Sequence, residues 1–392
     1  MTRHKDFKAS IWISIAIALV CGFASSIGFG ILAPLFTMRM DDLKISNAEI
    51  GVMVTIVGLA PLVFTPFVPN FMARVSVKPA LAIAISLVIA LYALLTQFDG
   101  PLMWTFLRFL FAILLTFLFV ASESWILELA PEKYRGRVLG LYATIFSGGF
   151  GLGGVLISIF GYQSNATIYV AIAINILVLP LLLMVKSQSA TKPHASQIGY
   201  KKIIANIFLT PFLFIPALAM GGIETAAFNF FPIWVRKTGL HDNMAGFLIS
   251  AAALGNLLLQ GPIGILADKK GRKTAMIFIA IVAFLGPFAL MLTHNPAAIL
   301  LIVAIWSGCV TGYYTMGLMG LAQHYAAGQL SIANASFGTM YCLGQFVAPL
   351  IGGALLQVFG ANAFMLGLAI TGILPILFFV SGKNTAKNAL VS

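Results

Sequence analysis

The feature that most constrains this chain is a succession of apolar runs, at roughly 10–38, 48–72, 79–98, 101–125, 138–160, 166–185, 205–235, 244–267, 274–293, 297–322, 331–357 and 361–381. Each is long enough to carry a helix across the hydrocarbon core, which takes about 20 residues. Spanning segments must satisfy their own backbone polar groups, so only helices or closed barrels qualify, and barrel strands would show short alternating segments instead of continuous runs. The expected fold class is therefore an all-α polytopic membrane protein with twelve transmembrane helices. Composition excludes a water-soluble fold: of 392 residues 60% are hydrophobic and 9% charged, with a mean hydropathy of +1.01. The first run follows Arg3, Lys5 and Lys8 as a secretory signal would, but it is too long and continues past Pro34. We read it as a retained helix.

A net charge of +12 does not point to nucleic acid, because the basic residues fall in small groups between apolar runs. They read as topology signals. With both termini and the even-to-odd loops in the cytoplasm, 18 of the 23 Lys and Arg lie inside: Arg3, Lys5, Lys8, Arg74, Lys78, Lys133, Arg135, Arg137, Lys186, Lys192, Lys201, Lys202, Lys269, Lys270, Arg272, Lys273, Lys383 and Lys387. Arg39, Lys44, Arg236 and Lys237 lie outside, and Arg108 sits within a helix. Cys21, Cys309 and Cys342 all fall in apolar segments, an odd number without paired spacing, so neither a disulfide framework nor a metal site is expected.

The longest polar stretch, Lys186 to Lys202, divides six runs from six. We read residues 1–186 and 203–392 as two halves joined by a cytoplasmic linker, 187–202. Pro69–Lys78 aligns with Gly264–Lys273 at an offset of 195, and Tyr142 with Gly153-Gly154 aligns with Tyr341 and Gly352-Gly353 at an offset of 199. Repeated halves of this kind mark secondary transporters, with substrate sites near the midplane between the repeats.

Gly264-Ile-Leu-Ala-Asp268-Lys269-Lys270-Gly271-Arg272-Lys273 resembles the loop motif of the major facilitator superfamily, Gly-x-Leu-x-Asp-Arg-x-Gly-Arg-Lys. In such a loop Gly264 would permit close helix approach, Asp268 could accept charge-assisted hydrogen bonds, Gly271 would make the turn and the cations would hold the loop inside. The first-half copy, containing Arg74 and Lys78, has Ala73 in place of the Asp and Ser76 in place of the second Gly. Gly344-x-x-x-Ala348-Pro349-x-x-Gly352-Gly353 is similar to the fifth-helix motif of proton-driven exporters, whereas the first-half run Gly149 to Gly154 has Phe150 where that motif carries Pro. Small residues here also suit close packing with no directional meaning. Ser122-Glu123-Ser124-Trp125 and Arg135-Gly136-Arg137-Val138-Leu139-Gly140-Leu141-Tyr142, with Arg108, resemble the bacterial YcaD-type branch of the superfamily. The resemblance implies the superfamily's twelve-helix fold and a central cavity lined by the first, fourth, seventh and tenth helices.

Ionisable groups at membrane depth are costly and normally face a cavity or a partner. Glu224, mid-way along the seventh run beside Gly221-Gly222, is the candidate proton carrier; otherwise it is a packing carboxylate satisfied by Asn229 or Thr225. Arg108, which resembles the family's fourth-helix arginine, would serve proton coupling or pair with an anion, or else form a fixed ion pair. Glu123, about 15 residues further along that helix, is expected to bind loop cations in a gating or structural role. Ser25, Ser26, Asn229, Phe230, Thr311, Tyr313, Tyr314 and Thr315 are candidates to shape the substrate cavity, and Asn256 and Gln260 to join helices.

Motifs for hydrolytic or nucleotide chemistry are absent from the sequence. The expectation is a non-enzymatic secondary transporter without cofactor, in a bacterial cytoplasmic (inner) membrane and acting as a monomer. Protons would drive it, its cargo being an amphipathic drug-like compound or metabolite moved outward, or alternatively an organic anion or nutrient moved inward.

Overall fold

The computed structural model describes residues 2–72, 74–131, 134–184, 200–326 and 329–389. Linker residues 187–199, Ala73, and the side chains of Arg3, Lys5, Lys8, Lys133, Arg135, Lys186, Lys192, Lys383 and Lys387 lie outside what is described. All regular structure among the described residues is helical: α1 (Thr2–Asp42), α2 (Asn47–Phe64) continued by a 3-10 turn at Thr65–Phe67, α3 (Val68–Met72), α4 (Val77–Leu95), α5 (Pro101–Leu129), α6 (Arg135–Phe160), α7 (Ala166–Met184), α8 (Tyr200–Leu209), α9 (Pro211–Lys237), α10 (Met244–Lys270), α11 (Arg272–Met291), α12 (Pro296–His324), α13 (Leu330–Val358) and α14 (Ala361–Ala389). Eleven are long and apolar enough to span a bilayer, and the described part of α7 contributes a shorter apolar helix, Ala166–Leu182.

Local chemistry sets the boundaries. Ser46 and Glu49 form a reciprocal capping box that starts α2. Pro101, Pro211 and Pro296 open α5, α9 and α12 at the position where a missing N–H costs nothing. Gly271 stands between α10 and α11 with φ +84, so the tight turn expected there does need glycine. The seventh run, read as 205–235, divides in two: α8 is a short separate helix, and the span proper is α9. The break follows from Pro211 after Thr210, since a residue preceding proline is driven out of helical geometry. Thr210 and Asn206 are then tied to Tyr325 at the end of α12, at 2.6 and 2.9 Å.

Helix neighbours repeat from one half to the other. The packing of α1 on α6, α2 on α5 and α4 on α7 recurs as α9 on α13, α10 on α12 and α11 on α14. The halves meet through a matching pair of contacts, α6 on α10 and α2 on α13, supplemented by α1 on α9.

These junctions concentrate at the end of the bundle that carries residues 43–46, 161–165, 238–243 and 359–360. There a side chain at Gly154 would strike the Gly246 carbonyl and the Ser250 backbone, and one at Gly353 would strike Asn47 and Gly51. Ser158 donates to the Asn243 carbonyl at 2.9 Å, and the Asn47 amide to Gln357 at 2.9 Å. Towards the opposite end, Gly140 of α6, Gly261 and Gly264 of α10 and Gly338 of α13 have no neighbour within 4 Å of where a Cβ would stand. The bundle is sealed at one end, with α6, α10 and α13 free of such contacts towards the other.

Candidate functional site

Glu224 lies at the middle of α9, facing a narrow crevice lined by Met220, Ile223, Ala227, Phe228, Phe231, Ala252, Trp306, Ser307 and Thr311. The Tyr341 hydroxyl, from α13, donates to its carboxylate at 2.7 Å. Gly221 makes that approach possible, because any side chain there would collide with Tyr341. The first half repeats the arrangement with different chemistry. Gly22 of α1 beds the ring of Tyr142, both displaced by 199 residues from Gly221 and Tyr341, but the Tyr142 hydroxyl meets Ser122 at 3.0 Å. Ser25 occupies the position equivalent to Glu224. The acidic group is thus an asymmetry laid on a symmetric frame.

Five residues along α9, or about 7.5 Å nearer the sealed end, Asn229 accepts a hydrogen bond from Arg108 Nη2 at 3.2 Å. The contact links α5 of the first half to α9 of the second. Arg108 is 5% exposed, its guanidinium lies 5.8 Å from the Phe36 ring centre, and its Nη1 has no hydrogen-bond partner among the described residues. No carboxylate among the described residues lies within salt-bridge distance of it, since every such pair belongs to Arg236. The fixed ion pair considered for Arg108 is absent among them. The Asn229 amide nitrogen is held in turn by the Thr225 carbonyl at 2.8 Å.

Asn256 and Gln260 of α10 join α12 as expected: Thr311 and Ser307 contact the Asn256 amide at 2.8 and 3.1 Å, Gln260 donates to the Gly308 carbonyl at 2.9 Å, and Thr315 bonds Gln260 at 2.9 Å. Thr311 also reaches the crevice. Tyr314 is 40% exposed, and its ring stands against Phe337 and Tyr341. Four of the candidate cavity residues occupy helix-packing positions instead. Ser25 and Ser26 are buried and return their hydroxyls to the carbonyls of Cys21 and Phe23. Phe230 is buried against Phe364, and the Tyr313 hydroxyl bonds the Gly372 carbonyl of α14. Each points away because short hydroxyls in helices bond back to their own turn and large rings fill inter-helix gaps.

Two matching six-helix halves, sealed together at one end and carrying a half-buried carboxyl and a buried guanidinium, agree with what known proteins show. The model of the Major Facilitator Superfamily matches residues 18–244 and 225–390. The chain belongs to the Major Facilitator Superfamily. Within it, similar proteins include the uncharacterized MFS-type transporter YfkF of Bacillus subtilis, 23% identical over 357 residues and 90% of each chain. The uncharacterized MFS-type transporter YcaD of Salmonella heidelberg is 22% identical over 374 residues, 94% of this chain and 96% of its own. Among solved structures, the nucleoside transporter NupG superposes with a TM-score of 0.74 at 15% identity, covering 95% of this chain and 98% of that one. A bacterial homolog of the human lysosomal transporter Spinster, inward-facing and unoccupied, gives 0.68 at 11% identity, covering 95% and 94%. The chain is a multi-pass membrane transporter and not an enzyme.

Other superfamily-type residues sit as follows. Asp268 is exposed and has no partner among the described residues, with Lys269, Lys270 and Lys273 exposed beside it. Gly264 has no described atom within 4 Å of where a Cβ would stand, so the close approach expected of it is absent in this state. Arg272 instead folds back onto Gly320 of α12 and donates to the Met316 carbonyl at 2.8 Å. Arg74 and Arg137 are exposed and Lys78 half-buried. Glu123 makes no ion pair among the described side chains, and Tyr142 and Tyr314 lie within its electrostatic reach. Gly149 and Gly153 bed α6 on α1, and Gly344 beds α13 on α9. Gly154, Gly353 and Pro349 face the other half, while Gly352 stands against Phe364 and Phe230.

Sequence reading passed over one cluster. Arg236, counted only as an outer loop charge, reaches Asp41 at 2.6 Å, Asp42 at 2.9 Å, Asp242 at 3.0 Å and the Tyr162 hydroxyl at 2.5 Å. Asp41, Asp42 and Tyr162 come from the first half. Arg39 holds the same loop through the carbonyls of Tyr162 and Ser164 and the side chain of Asn165. The signal was present as Asp41-Asp42 and Arg236, acids and base in opposite halves at the same end of their spans.

Proposed function

We propose that this superfamily member is a proton-coupled secondary transporter of amphipathic small molecules, with Glu224 as the group that takes up and releases the proton. The observation that carries the reading is the Glu224–Tyr341 pair beside an aromatic crevice at mid-membrane. An intramembrane carboxyl is a functional group by default, and here its first-half counterpart is a serine. The rest of the reading follows the charge distribution. Arg74, Arg137, Lys201, Lys202, Lys269, Lys270 and Lys273 belong to the unsealed end, which supports a cytoplasmic location for that end and for both termini, in a bacterial inner membrane. The state described is then open inward and closed outward, and rocking of the halves about the central site gives alternating access.

The charge of the cargo sets the sense of coupling. A cation competes with the proton for Glu224 and produces exchange, the outward movement of a drug-like compound. An anion is favoured by the same proton and produces co-transport. The buried Arg108, with no counter-ion among the described residues, favours the second.

Glu224 is tested in proteoliposomes under an imposed pH gradient, using a labelled panel of amphipathic cations, neutral metabolites and carboxylates. Glu224→Gln is expected to abolish gradient-driven accumulation while leaving exchange of internal for external substrate intact. Gradient-driven accumulation equal to wild type removes Glu224 from the role.

A further inference from the structure

We infer that Arg108 and Asn229 form the binding site for the carboxylate of an organic anion, so that the cargo is an amphipathic monocarboxylate co-transported with a proton. The inference rests on the reading of Glu224 as the proton carrier and deepens it by naming the substrate class.

A guanidinium carries five N–H donors in a planar fork and keeps its charge under all ordinary conditions. Buried cations are normally paired, because leaving the charge uncompensated in a low-dielectric interior costs several kcal/mol by most estimates. Arg108 is 5% exposed, yet among the described residues its acceptor is a neutral amide at 3.2 Å and its Nη1 has no hydrogen-bond partner. The Phe36 ring below it, at 5.8 Å, supplies only a weak cation–π contact. Arg236, 18% exposed, by contrast has three carboxylates. A chain whose described residues pair the more exposed arginine and give the more buried one no counter-charge has a place for an anion that arrives from outside.

Geometry specifies how it arrives. Arg108 belongs to one half and Asn229 to the other, on the sealed side of Glu224. In the sealed state the amide oxygen of Asn229 occupies one fork of the guanidinium. Parting α5 from α9 breaks that bond and presents both Nη atoms, the bidentate arrangement that fits a planar carboxylate. The Asn229 amide stays anchored to the Thr225 carbonyl. The cargo therefore meets Arg108 when the sealed end opens and yields it to Asn229 after release.

Coulomb arithmetic then gives the stoichiometric sense. With Arg108 cationic and Glu224 ionised, the pair is neutral overall, and adding a carboxylate makes the site negative. A proton on Glu224 restores neutrality, so anion and proton each raise the other's affinity, the reciprocity that linkage requires. Phe228, Phe231, Met220 and Trp306 around Glu224 supply an apolar wall for the body of the molecule.

The test uses the purified full chain and measures thermal stabilisation by matched probes: benzoate with benzamide, cinnamate with cinnamamide, octanoate with octanamide, and tetraphenylphosphonium as the cationic competitor. Wild type should be stabilised by at least one carboxylate and not by its amide. Arg108→Gln should weaken that carboxylate at least tenfold, Arg108→Lys less, and Glu224→Gln should retain it while losing gradient-driven accumulation. Should Arg108→Gln fail to fold, Asn229→Asp carries the test: an internal carboxylate should raise the melting temperature without ligand and abolish the response to carboxylates. Stabilisation by no carboxylate, stabilisation confined to tetraphenylphosphonium, or a carboxylate response unchanged in Arg108→Gln and Asn229→Asp overturns the inference. Loss of the Glu224 effect with the Arg108 effect intact overturns proton coupling and leaves the anion site standing.

Discussion

Tyr341 and Tyr142 are symmetry mates seated on glycines in register, Gly221 and Gly22, yet one hydroxyl meets the carboxylate of Glu224 and the other meets Ser122. On the reading of Glu224 as the proton carrier, this difference between matched tyrosines assigns that role to the second half. A hydrogen bond to a charged group contributes about 1.5–3 kcal/mol, enough to move a proton affinity by about one pH unit or more. Tyr341→Phe should therefore displace the pH midpoint of transport by about one unit, whereas Tyr142→Phe should leave it in place. Initial rates in proteoliposomes, followed from mildly acidic to mildly alkaline buffer, check both.

The Arg236 cluster joins the halves at the sealed end. Its carboxylates are part-exposed, with side-chain exposures of 30%, 42% and 39%, so each pair contributes at most about 1 kcal/mol. Arg236→Ala should cost about 1–2 kcal/mol of stability and shift the population towards the state open at that end. Cysteines placed at Asn47 and Gln357, whose parent residues bond directly, should cross-link less readily in this variant. Cross-linking at the wild-type level would show that the cluster is not what keeps the end closed.

At the α6–α10 junction a methyl group on Gly154 or Gly246 has no room, the first obstacle in each case being the other's carbonyl. Overpacking of this kind costs about 1–3 kcal/mol, and it falls only on the sealed state. Gly154→Ala and Gly246→Ala should give folded protein that resists closure, seen as faster alkylation of Asn229→Cys by a membrane-impermeant reagent added from the sealed side. The same rate as in an otherwise wild-type background would count against this.

The loop motif separates into parts that hold the fold and parts that do not. Gly271→Ala forces a side chain into φ +84 and should lower stability by about 1–2 kcal/mol. Asp268→Asn, at an exposed site without a partner among the described residues, should leave the melting temperature within about 1 °C. Any loss of transport in Asp268→Asn with stability intact would then belong to the other conformational state.

Much of the architecture is legible in the sequence. Continuous apolar runs, basic loops and the offsets of 195 and 199 correspond to the helices and to their matching contacts, because length and hydrophobicity alone dictate spans. The α8–α9 break was written in Thr210-Pro211 but masked by the apolar residues on either side. Site orientation was less legible. Hydropathy cannot say which way Tyr313 or Tyr314 points, and these neighbours take opposite roles, one buried on α14's backbone and one exposed. Partners of ionisable groups were also hidden, since Tyr341 lies 117 residues from Glu224 and Asn229 lies 121 from Arg108. Only folding brings them into register.

At the junctions of Gly154 with Gly246 and of Gly51 with Gly353 the main chains meet directly, joined in the first by the short hydroxyls of Ser158 and Ser250. Where glycine meets glycine there are no rotamers to adjust, and few side chains, chiefly Gln357, Ser158 and Ser250, reach across to stay in touch while the helices separate. Dispersion contact between them fades within about an ångström of gap. Partial separation would forfeit the attraction without yet admitting solvent or cargo, so intermediate openings are the least favourable positions along the path. The transporter's two end states are in this sense made discrete by its smallest residues.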